Sequence, residues 1–213
     1  MAKIIALENT KGGSGKSTVA TNLARGLQLA GHRVLIIDRD PLRISRQWRE
    51  LADNEDYPLV VGIDTPTIHK EIKTIAGSFD YIVIDGAAVV EEMALSAIKA
   101  ADLVLVPVQP SAADIWGAKP LLKLIRARQE ITEGHPIARF IVTRAKPRTR
   151  LARQIHELFE QGWAALQTRI TENVLYTECL TGGSSVCDAK GKRAEGVRNE
   201  INNLIIEIKE LLK

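Results

Sequence analysis

Cysteine, aromatic side chains and long apolar runs are all scarce in this chain, and each scarcity removes a class of protein. Two cysteines, Cys179 and Cys187, cannot staple 213 residues, and their spacing fits no standard metal-ligand pair, so an ordinary core must hold the fold. Aromatics make up 4% of the chain, and no aromatic interleaving accompanies the two basic clusters described below, which argues against stacking single-stranded bases. No apolar stretch nears the ~20 residues of a spanning helix. At the N-terminus, Glu8 and Lys11 interrupt the apolar run too early for a signal segment. A cytoplasmic protein is expected. No internal repeat or low-complexity tract is present, and Gly182-Gly183-Ser184-Ser185 is too short to be a linker. With 45% hydrophobic and 26% charged residues, 1–213 reads as a single globular domain. The net charge of +3 permits an anionic partner without demanding one, so the placement of charge decides.

What is abundant is the short β-branched run. Ile4 to Leu7, Val34 to Ile37, Leu59 to Ile63, Tyr81 to Ile84, Leu103 to Val108 and Phe140 to Val142 lack polar alternation, which predicts strands of a parallel sheet covered on both faces. Helical spacing lies between them. Val19, Ala20, Leu23, Leu27 and Ala30 share one face of a segment that stops at Gly31. Ser111 is an N-cap for a helix through Ile115, Leu121, Leu122 and Ile125, and a last helix is expected from Ala194 to Leu212. The alternation predicts an α/β doubly wound, mainly parallel sheet with helices on both faces.

The first strand runs into Thr10-Lys11-Gly12-Gly13-Ser14-Gly15-Lys16-Ser17-Thr18, and a helix follows at once. Glycines there let consecutive N–H groups point inward around a phosphate, and the helix N-terminus adds its partial positive charge. Lys16 is placed to lie along the β- and γ-phosphates, with the Ser17 hydroxyl on Mg²⁺. ATP or ADP with magnesium is the expected cofactor. Strand two ends Asp38-Arg39-Asp40 and strand four ends at Asp85, so three carboxylates sit at strand carboxyl ends, where open α/β sheets collect ligands.

The loop departs from the usual pattern at its start. Thr10 stands where the standard motif has its first glycine, and a second lysine, Lys11, follows. Lys-Gly-Gly-x-Gly-Lys-Ser resembles the deviant phosphate loop of the ParA/MinD family of ATPases, and the likeness extends along nearly the whole chain, including Val106-Pro107-Val108-Gln109-Pro110-Ser111. The resemblance implies an ATPase, slow without its partner, that forms an ATP-sandwich homodimer. It assigns Lys11 to the partner's phosphates, Lys16 to its own loop and Asp40 to the switch that positions water. Gly12, Gly13, Ser14, Gly15, Ser17 and Thr18 hold nucleotide, Asp38 and Asp85 support the metal with Ser17, and Thr143 and Arg144 lie near the base. Among relatives, the short plasmid-partition (ParF-like) type is most similar. Because the loop begins ten residues from the start, no DNA-binding extension is expected ahead of it.

Charge placement separates the uses of such a switch. Arg139, Arg144, Lys146, Arg148, Arg150 and Arg153 form a basic stretch without acidic residues, and Lys190, Lys192, Arg193 and Arg198 form a second, diluted by Asp188 and Glu195. Such stretches hold phosphate backbone without reading bases. Arg148, Arg150, Arg153, Lys190, Lys192 and Arg193 are the candidate DNA contacts. A MinD-like membrane helix fits poorly: the terminal segment mixes Glu200, Glu207 and Glu210 with its lysines and carries no aromatic. An iron–sulfur carrier lacks its Cys-x-x-Cys pair. The expected function is DNA partition on the nucleoid, with a ParB-like or small ribbon-helix-helix partner stimulating hydrolysis and no stable membrane association. The alternatives are positioning of another cargo, such as a microcompartment, or a membrane-bound division-site ATPase.

Overall fold

The computed structural model describes residues 1–87, 91–146 and 162–213. Among these residues seven strands form one sheet in the order β3-β2-β4-β1-β5-β6-β7: β1 (Lys3–Leu7), β2 (Val34–Asp38), β3 (Leu59–Gly62), β4 (Tyr81–Asp85), β5 (Leu103–Val108), β6 (Ile137–Ala145) and β7 (Ala165–Thr171). Every strand pair is parallel. The β-branched runs fill two cores because alternate side chains leave opposite faces. Ile5, Leu7, Ile36, Val83 and Leu105 face α1 (Lys16–Leu29) and α8 (Lys192–Leu211), whereas Ala6, Ile37, Ile84 and Val106 face α3 (Ile68–Ile75), α4 (Glu91–Ala100) and α6 (Lys119–Glu130). The doubly wound expectation is borne out.

Register carries the consequence for function. Leu7 pairs with Asp85, and Asp85 with Asp38, so β1, β4 and β2 end level and the residues after them share one rim. Helix α1 begins immediately after Gly15, whose φ is 96°, and ends as expected, with Gly31 at φ 88° donating to the Gln28 carbonyl at 2.9 Å.

Three local expectations need correction. The helix expected from Ser111 to Ile125 is two helices, α5 (Ala112–Gly117) and α6, which meet at Ala118. Pro120 lies in the first turn of α6, where its missing N–H costs nothing and its fixed φ suits a fresh start. Strand β6 is three times the expected length, and β7 was not expected at all. In β7, buried Leu166 and Ile170 alternate with exposed Gln167 and Arg169, the pattern of a half-wet edge strand rather than a continuous apolar run. Helices α2 (Ile44–Leu51) and α7 (Val174–Thr181) also lay outside the sequence expectation.

The last helix packs on the sheet. Ala194, Val197, Ile201, Leu204, Ile205 and Ile208 are buried, and a Cβ at Gly26 would come within 2.6 Å of Ile205 Cδ1, so α1 and α8 cross closely because residue 26 has no side chain. The glutamates that disguise α8 as a mixed-charge surface helix have backbone partners. Glu207 accepts from the N–H groups of Gln167 (2.7 Å) and Thr168 (3.1 Å), and Glu200 from Thr171 (3.0 Å). No helix among the described residues is long and apolar enough to cross a membrane. Leu204, fully buried, tests the packing: Leu204→Ala is expected to lower unfolding free energy by about 2–5 kcal/mol in a urea titration, and wild type is expected to stay in the supernatant when liposomes are sedimented.

Candidate nucleotide site

The segment between β1 and α1 is tied down from three sides. Asn9 donates to the Pro107 carbonyl (2.6 Å) and accepts from the Lys11 N–H (3.0 Å), Thr10 donates to the Gly117 carbonyl (2.8 Å), and Gln109 donates to the Gly13 carbonyl (2.8 Å). Thr143 is buried and donates to the Ser14 carbonyl at 2.7 Å. A Cβ on Gly15 would meet its methyl at 3.2 Å, at a φ that already excludes most side chains. These contacts leave the loop amides facing a cavity of 890 Å³ lined by Gly12 to Val19, by Asp40, Pro41 and Leu42, and by Thr143 and Arg144. Its far wall is Ile170 to Val174 with Tyr176, Thr177 and Leu180.

Lys16 is buried with its Nζ on two loop carbonyls, Asn9 at 3.2 Å and Lys11 at 3.3 Å. A cation parked there stands within the phosphate cradle. Asp85 is fully buried; its Oδ2 accepts from Ser45 (2.7 Å) and its Oδ1 has no hydrogen-bond partner. Burial, reinforced by the charge of Asp38 and opposed by hydrogen bonds from Ser45 and Ser17, pushes its carboxyl up to about 7. Asp38, also fully buried, accepts from the N–H groups of Asp40 (3.0 Å) and Arg46 (2.9 Å). Asp40 instead lines the cavity, its Oδ1 accepting from the Leu42 N–H at 2.9 Å. Two carboxylates on one short segment therefore face different ways. The orphaned buried Oδ1 of Asp85, the Ser17 hydroxyl and the unpartnered Ser14 hydroxyl are hard oxygen donors of the kind magnesium takes. Among the described residues no group of three or more His, Cys, Asp or Glu could cage a metal, so the ion would complete its shell with phosphate and water.

Lys11 is outside the cavity. Its Nζ is 2.9 Å from Asp114 Oδ2, and its side chain is 44% exposed while that of Asp114 is 2% exposed. Ser111, the N-cap of α5, hydrogen-bonds the same carboxylate oxygen.

Comparison with known proteins decides what this loop and fold are. Residues 5–186 match the CobQ/CobB/MinD/ParA nucleotide binding domain. The chain belongs to that family. It is similar to "Maintenance of carboxysome distribution protein A" of Halothiobacillus neapolitanus, at 27% identity over 210 residues covering 96% of this chain and 95% of that protein. Similarity to the sporulation initiation inhibitor protein Soj of Bacillus subtilis is 28% over 240 residues, 92% and 95% of the two chains. The septum site-determining protein MinD of Pyrococcus horikoshii, solved with Mg-ADP, superposes with a TM-score of 0.74 at 19% identity over 98% of each chain. Like the family it belongs to, the chain is an ATPase of the ParA/MinD type, and ATP or ADP with magnesium is what its site takes.

Several site residues carried no signal in the sequence. Ser45 and Arg46 reach the aspartates from α2, and Glu172 and Asn173 line the cavity from the end of β7; both elements were unexpected. Gln109 lies in the quoted Val106 to Ser111 run, which gave no hint that its side chain would hold the Gly13 carbonyl. Of the DNA candidates, Lys190, Lys192 and Arg193 are exposed at the start of α8, while Arg198 donates to the Ala189 carbonyl. Arg148, Arg150 and Arg153 lie outside the described residues. Lys146 pairs with Glu172 at 3.1 Å, and Arg144 turns at φ 48° to line the nucleotide cavity, so these two face the nucleotide end rather than a separate basic surface.

A buried charge cluster underlies the site. Glu8 is 2% exposed, and burial pushes its carboxyl up to about 7, against the pull of Arg39 and Lys16 and with the help of Asp85. Between about 4.5 and 7 the folded chain keeps protons that an unfolded glutamate or aspartate has released, so stability falls as pH rises through that window. Urea titrations without nucleotide are expected to show this decline, with a shallower slope in Glu8→Gln whatever that variant's absolute stability.

Proposed function

We propose that the chain is a DNA-bound positioning switch: it dimerises on ATP, binds DNA without reading its sequence, and is released when a partner protein stimulates hydrolysis. The observation that carries this reading is Lys11. The phosphate cradle already holds one lysine, Lys16, and a second, half-exposed lysine outside the cavity serves no phosphate of its own chain. In the proposed dimer it leaves Asp114 and meets the nucleotide of the partner copy, which couples occupancy to association as cations supplied in trans do in phosphoryl transfer. Asp40, on the cavity wall, orients the attacking water; Ser17 and Asp85 hold magnesium, and Asp38 holds the switch segment through its two backbone N–H groups. Thr143 braces the loop and Arg144 approaches the base. The chain 1–213 acts as one unit in this cycle.

For DNA, Lys190, Lys192 and Arg193 present a basic helix start free of acidic ion pairs among the described residues; Arg148, Arg150 and Arg153, outside the described residues, stay candidates on their sequence alone. Partition of a plasmid or chromosome, with a ParB-like or ribbon-helix-helix partner, is the proposed task, supported by similarity to the chromosome-partitioning ATPase Soj of Thermus thermophilus and the chromosome partitioning protein ParA of Myxococcus xanthus. The match to the carboxysome distribution protein over 96% of the chain favours a second reading, in which the same cycle on the nucleoid moves a protein body. The buried stripe of α8 argues against the membrane alternative.

Two experiments test the proposal. In equilibrium sedimentation with a non-hydrolysable ATP analogue, Lys16→Ala is expected to lose nucleotide binding, and Lys11→Ala to keep it while remaining monomeric; a fully dimeric Lys11→Ala would refute the trans role. In fluorescence anisotropy, the ATP-bound dimer is expected to bind unrelated duplexes equally, with log K falling against log[salt] at about −0.9 per phosphate contact. Replacing Lys190, Lys192 and Arg193 with alanine together should flatten that slope by about 2–3.

A further inference from the structure

Arg39 stands between the two aspartates that follow one another at the end of β2, yet its guanidinium pairs with neither. It is buried, and it reaches two other segments of the chain. Nη1 donates to the Met93 carbonyl at 2.7 Å, while Nη2 donates to the Thr65 carbonyl at 3.4 Å and lies 3.2 Å from the Met93 sulfur. Met93 is the third residue of α4, and Thr65 lies between β3 and α3. Because α4 follows β4 in the chain, one side chain ties the segment leaving β2 to the segment leaving β4. Both segments start from the level pair Asp38 and Asp85.

Such a tie is a poor way merely to fill space. Arg39 Nε is buried without an acceptor, and the nearest carboxylate, Glu8, is 3.9 Å from Nη1 with its Oε1 unpartnered. A buried pair so loosely matched recovers little of what both ions lost on leaving water, and apolar side chains of similar volume would hold the same space at least as well. What apolar side chains cannot do is donate to carbonyls on two separate segments, and so set the backbone at residue 39 relative to α4.

The next residue is the one whose placement matters. Asp40 is held from its own side by Asp38, which accepts from its N–H at 3.0 Å, and by Arg46, which donates to its carbonyl at 3.2 Å. Those contacts come from β2 and α2, and Arg39 adds a hold from across the rim. A group that orients a reacting water needs its position fixed to within about 0.5 Å. We infer that Arg39 is a positioning residue for hydrolysis: anchored on Met93 and Thr65, it fixes the backbone from which Asp40 reaches the cavity. The inference rests on the proposed water-orienting role of Asp40 and makes that role depend on α4.

The test compares full-length wild type with Arg39→Lys, Arg39→Met, Glu8→Met/Arg39→Met, Asp40→Ala and Arg39→Met/Asp40→Ala. ATP affinity is read by titration with a fluorescent ATP analogue and magnesium, hydrolysis by single-turnover phosphate release, and folding by thermal melts. Glu8→Met/Arg39→Met leaves no unpaired buried charge and is expected to melt no lower than wild type. It should bind ATP within about twofold of wild type and hydrolyse it about ten- to a hundredfold more slowly. Arg39→Lys, which keeps a donor for the Met93 carbonyl, should fall between the two rates, and it carries the same comparison if the methionine variants unfold. Adding Arg39→Met to Asp40→Ala should slow hydrolysis little further, because the two act as one unit. A folded Arg39 variant that hydrolyses at the wild-type rate, a loss of ATP affinity in step with rate, or a loss that multiplies in full with that of Asp40→Ala would overturn the inference. Wild-type hydrolysis by Asp40→Ala would instead overturn the water-orienting reading beneath it.

Discussion

The level ending of three neighbouring strands is the constraint on which the nucleotide end depends. Parallel pairing sets Leu7, Asp85 and Asp38 side by side, and chain continuity then delivers the glycine-rich loop, the Asp85 carboxylate and the segment from Arg39 to Leu42 to one rim. A slip of one residue in β2 or β4 would turn its aspartate to the opposite face of the sheet. That register is enforced by the apolar residues behind it, because the same slip would exchange the two cores. The charged rim is thus held by hydrophobic side chains that never touch it.

Concentrating ionisable groups at such a rim has a cost visible in the structure. Glu8, Arg39, Asp38 and Asp85 are almost wholly buried, and the raised carboxyl groups of Glu8 and Asp85 record how poorly neighbouring cations replace water there. Gly86 belongs to the same arrangement, since a Cβ at that position would lie 2.4 Å from the Glu8 carboxyl carbon. These buried charges are only partly compensated by one another, and a cation beside Asp85 would relieve part of the burden.

Legibility from sequence tracked burial. Strands covered on both faces, β1, β2, β4 and β5, announce themselves as continuous β-branched runs, and the loop between β1 and α1 is read from residue order alone. The wall of the cavity formed by β7 and α7 was illegible because an edge strand mixes polar and apolar residues, as Gln167 and Arg169 beside Leu166 and Ile170 illustrate. Ser45, Gln109 and Glu172 act through tertiary contacts 40 or more positions from, or on elements unseen beside, the residues they serve. No local pattern encodes such a contact. The pairing of Lys11 with Asp114 is of this kind too: the sequence separates them by 103 positions, and only the path of α5 past the loop brings them together.

The hold of Glu200 and Glu207 on β7 has a consequence for assembly. An edge strand with free N–H groups is an invitation for another chain to add itself to the sheet. Here carboxylates from α8 occupy the N–H groups of Gln167, Thr168 and Thr171, and a newcomer strand would find those donors taken and two negative charges in its way. Growth of the sheet from molecule to molecule is closed at this side, so any copy that meets the β7 edge must do so through side-chain surfaces, whose contacts, unlike a continuous run of backbone hydrogen bonds, are readily made and broken.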